Sequence, residues 1–114
     1  MIIQYKINKI LFLFALALLF GNIGAYLNQK VINANSCRMP VLTDSYFQTK
    51  EHFSISSLDQ ANHSWLGDIF GSKKVMLFSL GDIFLYLAIF VLLIIIYLSL
   101  KQLWLFRRKG VIIE

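Results

Sequence analysis

Two aspartates stand in two copies of one pentapeptide, Leu66-Gly67-Asp68-Ile69-Phe70 and Leu80-Gly81-Asp82-Ile83-Phe84, fourteen residues apart. Two carboxylates that share a proton can activate water, because like charges at close range do not both ionise. The chemistry such a pair points to is an aspartate-dependent hydrolysis. The plainer reading is structural. Ser79 precedes the second copy and Asp82 follows it by three residues, an S-x-x-D helix start in which hydroxyl and carboxylate take up free backbone N–H groups. Asp82 also has cationic partners to choose from in Arg38, Lys73 and Lys74. Other chemistries have less support. His52 and His63 are eleven residues apart with no second ligand at useful spacing, so no metal is expected. Ser, His and Asp occur together without G-x-S-x-G, no phosphate-binding glycine loop is present, and no cofactor is expected. Cys37 is the single cysteine, which excludes a disulfide within the chain.

The elements that must position these residues are mostly apolar. Hydrophobic residues make up 58% of the 114, ten of them Phe, and the mean hydropathy is +0.67. That is more than a soluble domain of this size can bury. Ile10 to Leu27 carries no charge, and Ile83 to Leu100 is apolar except for Ser99; each run has 18 residues. A helix crossing the ~30 Å hydrocarbon layer needs about 20. The fold class expected is therefore an all-α membrane protein, a two-helix transmembrane hairpin with a partly ordered extracytoplasmic loop. Its divisions are an N-terminus at 1–9, a first span with its extension at 10–33, the loop at 34–78, a second span at 79–100 and a basic tail at 101–114.

Charge orients the hairpin. The flanks hold six bases in 23 residues (Lys6, Lys9, Lys101, Arg107, Arg108 and Lys109), whereas Asn28 to Lys74 holds five in 47. The positive-inside rule then places both termini in the cytoplasm. Because the bases behind the net charge of +5 cluster beside the apolar runs, anionic lipid is the expected partner and nucleic acid is not. A signal peptide is the rival reading of Lys6, Lys9 and the run Ile10 to Phe20. Against it, apolar character resumes through Leu27 and no A-x-A cleavage site follows.

Ala17, Gly21, Gly24 and Asn28 fall at spacings of 4, 3 and 4, one stripe of small residues ending in an amide. A second line runs through Gly81, Leu85, Ala88, Leu92, Ile95 and Ser99. Such stripes admit the close helix packing that replaces the hydrophobic effect in lipid. The loop between mixes polar residues with Tyr46, Phe47, Phe53, Trp65 and Phe70, a composition suited to lying against the membrane surface.

Asn28, Val31, Asn35 and Arg38-Met39-Pro40-Val41, followed by Leu66-Gly67-Asp68 and Ser79-Leu80-Gly81-Asp82, resemble a family of small bacterial membrane proteins of unknown function. Its pattern is N-x-x-V, N-x-G-R-M-P-V, L-G-D and an S-x-G-D that opens a final apolar helix. The resemblance runs from about Gly24 to Leu93, with Cys37 where the pattern has glycine. It implies a membrane location and a shared structural plan, but no activity. It also implies extra N-terminal spans that this chain lacks, hence a shortened member or a bundle that a partner completes. Physically the motif residues make a clasp: Arg38 as a planar cation for Asp68 or Asp82, Pro40 ending the first helix, and the amides of Asn28 and Asn35 holding loop backbone. The leading functional expectation is a non-enzymatic structural or partner-binding membrane component, in contact with another membrane protein or a second copy. An intramembrane aspartate-dependent enzyme that resembles lipoprotein signal peptidases, without their G-N-x-x-D-R pattern, comes next, and a subunit of an oligomeric transporter third.

Overall fold

The structure, a computed structural model, describes residues 2–72 and 76–108. Two long helices dominate it, α1 (Ile2–Ala34) and α2 (Leu80–Arg108). Both are long and apolar enough to cross a membrane. They pack antiparallel into a rod with overall extents of 62 × 26 × 20 Å. Each is longer than its apolar run. In α1 the segment before Ile10 has no glycine or proline and adds an i,i+4 bond from Gln4 Nε2 to Asn8 Oδ1 at 3.0 Å, so helix continues back to Ile2. α2 likewise carries its helix eight residues past Leu100 into the basic segment expected to be a tail.

The seam between the helices is built from small residues. A Cβ on Gly24 would lie 2.6 Å from the Gly81 carbonyl oxygen and 2.9 Å from Leu85 Cγ; one on Gly81 would lie 2.6 Å from the Gly24 carbonyl oxygen. The backbones therefore touch at this crossing, as only glycine on both sides permits. Ala17, Ala88 and Val91 are buried along the same line, and Phe20 packs against Phe84 with ring centroids 6.1 Å apart. Past Ala88 the contact turns to Val91; Leu92, expected in the stripe, is 40% exposed. At about 100° per residue Leu92 stays on the face of Gly81 whereas Val91 lies roughly a quarter turn round, so past Ala88 the contact line winds about α2.

The connection is less loop-like than an all-α reading expects. Among the described residues it holds four short strands: β1 (Met39–Leu42), β2 (His52–Ile55), β3 (Phe70–Ser72) and β4 (Met76–Phe78). β1 and β2 are parallel, with Met39 opposite His52 and Leu42 opposite Ile55. On its other edge β1 meets Asp68, whose N–H donates to the Pro40 carbonyl at 2.9 Å and whose carbonyl accepts from Leu42 N–H at 3.1 Å. β3 and β4 form an antiparallel hairpin with Phe70 stacked on Phe78 and lead straight into α2. The resulting cap has a small core of Val31, Met39 and Leu66, with Leu27, Ile32 and Leu80 packed against it. α1 and the start of α2 supply most of that core, because a cap this small cannot bury enough apolar surface alone.

Pro40 does not end α1. The helix stops six residues earlier, at Ala34, where Ser36 and Cys37 take positive φ of 57° and 65°. The Cys37 N–H then reaches back to the Ile32 carbonyl at 2.9 Å, the six-to-one bond of a Schellman turn. Pro40 is instead buried in β1, where its carbonyl is used and its missing N–H falls at the end of the ladder.

Gly24→Ala or Gly81→Ala is expected to destabilise the helix pair by about 1–3 kcal/mol through overpacking. Gly21→Ala, whose Cβ would meet only Ala88 Cβ at 3.9 Å, should be neutral or mildly stabilising; denaturation in mixed micelles followed by circular dichroism compares the three. Cys37→Gly should stabilise the same transition by about 1 kcal/mol, because a side chain in the left-handed region is strained.

Candidate functional site

Where the cap meets the helix crossing, three side chains close a ring of hydrogen bonds. Ser79 caps α2: its Oγ accepts from Asp82 N–H at 3.1 Å while Asp82 Oδ2 accepts from Ser79 N–H at 3.1 Å, a reciprocal capping box. Asn28, from the other helix, joins both partners. Its Nδ2 donates to Asp82 Oδ1 at 3.0 Å, and its Oδ1 accepts from Ser79 Oγ at 2.7 Å. Ser79 is fully buried, so each of these groups would be costly without the others. Asn28 reaches them because it lies one helical turn beyond Gly24, at the point of closest approach.

The other aspartate sits differently. Asp68 is held by its backbone against β1, and Gly67 beside it packs on Pro40: a Cβ there would lie 2.6 Å from the Pro40 carbonyl oxygen and 2.8 Å from its ring Cγ. The Asp68 carboxyl is nearly buried, with His52 Nε2 3.7 Å from Oδ2. Burial first, and then the negative charge of Asp82, raise it from the usual 3.8 to about 6, with His52 pulling in the opposite sense. Both copies of the pentapeptide thus do the same packing task. Leu66 and Leu80 enter one core, while Gly67 and Gly81 admit neighbouring backbone or ring atoms. The β3–β4 hairpin folds one copy back beside the other.

Arg38 does not form the expected clasp. Its guanidinium lies over the Phe53 ring, 5.1 Å from the centroid, and among the described residues no ion pair joins it to Asp68 or Asp82. The parallel pairing of β1 with β2 explains this: Pro40 is opposite Phe53, so the residue just before β1 is carried to the β2 side. Lys73 and Lys74, the other suggested partners of Asp82, lie outside the described residues, as does Lys109. Asn35 ties the cap to the end of α1. Its Nδ2 donates to the Val31 and Asn62 carbonyls at 2.8 and 2.7 Å, its Oδ1 accepts from Asn62 N–H at 3.0 Å, and Asn62 Nδ2 donates to the Ala34 carbonyl at 3.2 Å. Asn62 and the pairing of His52 with Asp68 carried no signal in the sequence, because no local spacing links residues so far apart. No group of three or more metal-ligating side chains occurs among the described residues.

A family described only as one of unknown function, DUF5317, matches residues 2–95. The chain belongs to this family. The matched segment contains α1, the cap, the ring of Asn28, Ser79 and Asp82, and α2 as far as Ile95. No curated protein and no solved structure matches.

An aspartate whose pKa is raised by folding favours the folded cap while protonated. That contribution is complete below pH 3.8 and is lost as pH rises through about 6. Amide exchange at Leu42, corrected for intrinsic rates, should accordingly speed up between pH 4 and 7 in the natural protein. In Asp68→Asn it should stay flat, with protection at pH 7.5 equal to or above that of the natural chain.

Proposed function

We propose that the protein is a non-enzymatic component of a bacterial inner membrane that crosses the bilayer twice, with both termini cytoplasmic and the cap on the outer face. One observation carries this reading: the helices are apolar on the outside. Leu11, Phe12, Phe90, Leu93 and Tyr97 are each more than half exposed, whereas the pair buries Ala17, Gly24, Gly81, Ala88 and Val91 between its members. That arrangement suits a lipid surround and would be ruinous in water. Lys6, Lys9, Lys101, Arg107 and Arg108 all lie toward the end remote from the cap, which supports the cytoplasmic placing of that end. Loss of the first span as a signal peptide would strip Ala17, Gly24 and Val31 from the seam and core, which favours its retention.

A structural role accounts for the polar groups at the crossing, since Asn28, Ser79 and Asp82 bond to one another and brace the hairpin. The small-residue stripes are used up within the chain, so contacts with a membrane partner or a second copy fall to the cap and to the outer helix faces. A second reading, an aspartate-dependent membrane enzyme, draws on one observation: Asp68 is buried, has its pKa raised, and feels the charge of Asp82.

Topology decides the first reading. Cys37 is exposed on the cap side, so a membrane-impermeant maleimide should label it in spheroplasts. In a Cys37→Ser background, Gln4→Cys should react only after permeabilisation. The reverse pattern would overturn the orientation, and release of the chain by alkaline carbonate would overturn the membrane reading itself.

A further inference from the structure

We propose that the groove between the two helix ends remote from the cap binds the phosphate headgroup of one anionic phospholipid, a site that rests on the membrane reading above. The groove has a volume of about 250 Å³. Lys6 and Lys9 line it from α1 and Lys101 and Gln102 from α2, with Ile10 and Leu98 among its apolar wall residues. Antiparallel packing is what assembles it, since more than ninety residues separate the lysines of the two helices in sequence.

Three ammonium groups around one small groove repel one another unless an anion lies between them. Among the described residues none of the three has a carboxylate within ion-pair distance. Five of the six acidic residues of the chain lie between Asp44 and Asp82, on the cap side. Among the described residues the groove therefore presents ammonium and amide donors with no acceptor of matching charge, which is the complement of a phosphodiester.

The apolar part of the wall selects a lipid over a soluble anion. Lys9 immediately precedes Ile10, and Lys101 immediately follows Leu100, so the charged groups stand at the edge of the apolar runs where headgroups lie. Below them Ile10 and Leu98 continue into the exposed apolar faces of both helices, along which acyl chains can run. Arg108 is differently engaged, its guanidinium over the Trp104 ring at 5.3 Å.

The test uses the full chain in dodecyl maltoside, with phosphatidylglycerol added and binding read by native mass spectrometry. One phosphatidylglycerol per chain is expected, with phosphatidylcholine far weaker and inorganic phosphate unable to displace it. The triple variant K6Q/K9Q/K101Q should bind about a hundredfold more weakly, and Lys101→Gln alone about fivefold, from the attraction each lysine contributes near a membrane. K30Q/K50Q, which removes two lysines from the cap side, should bind as the natural chain does. Should the triple variant misfold by circular dichroism, the single variant carries the test. Equal binding by the lysine variants, equal binding of phosphatidylcholine, or displacement by inorganic phosphate would each overturn the site. Carbonate extraction reads the membrane placement separately: a chain that stays in the membrane but keeps no phosphatidylglycerol removes this site and leaves that placement standing.

Discussion

Apolar side chains surrounded by lipid gain little by turning inward, so two helices in that setting stay together only through contact at short range and through polar groups that have nowhere better to go. In this protein both conditions meet at one place. Gly24 and Gly81 let the backbones touch, and one turn further on Asn28 reaches across to Ser79 and Asp82. Close approach makes the hydrogen bonds possible, and the hydrogen bonds fix the register at which the approach occurs. Any other register would leave Ser79, fully buried, without its partners.

The cap depends on that crossing. Its core is too small to stand alone, and it borrows Leu27, Val31 and Ile32 from α1 and Leu80 from α2. Asn35 and Asn62 hold it to the end of α1, and the β3–β4 hairpin delivers the chain to Ser79 at the point where α2 has to start. The duplicated pentapeptide sits at the two joints of this arrangement, with its leucines in one core and its glycines at two separate close contacts. Similar residues thus serve in different backbone settings, one copy against a strand and the other at a helix N-terminus. Only the first leaves its aspartate nearly buried with a histidine as its neighbour, which is why burial and charge act so strongly on Asp68.

The two ends of the rod have opposite chemistry. Among the described residues the acidic side chains lie at the cap end, where Asp82 bonds to Asn28, Asp59 to Ser57 and Asp68 lies beside His52; the other end collects lysines that face a shared groove. A hairpin with such ends is polarised along its length. This asymmetry links the orientation proposed for the chain with the lipid proposed for its basic groove, since both follow from the same distribution of charge.

Two apolar runs, the stripe through Ala17, Gly21, Gly24 and Asn28, and the S-x-x-D start at Ser79 could be read along the chain, because each is a local pattern repeated at helical spacing or closed within one turn. Helix length was not legible to the same degree: the polar first residues and the basic residues from Lys101 to Arg108 carry no apolar signal, yet they propagate helix already nucleated by the apolar runs. The fate of Arg38 and Pro40 was misread for a different reason. Charge and ring type name what a residue can do, whereas the parallel pairing of β1 with β2, set by backbone bonds from residues ten and more positions away, decided that Arg38 would meet Phe53 and that Pro40 would lie in a strand. Local periodicity therefore determined the helices and their contact faces. Which polar side chain meets which was decided only by tertiary structure, because such pairings join segments whose separation in the sequence bears no relation to their distance in space.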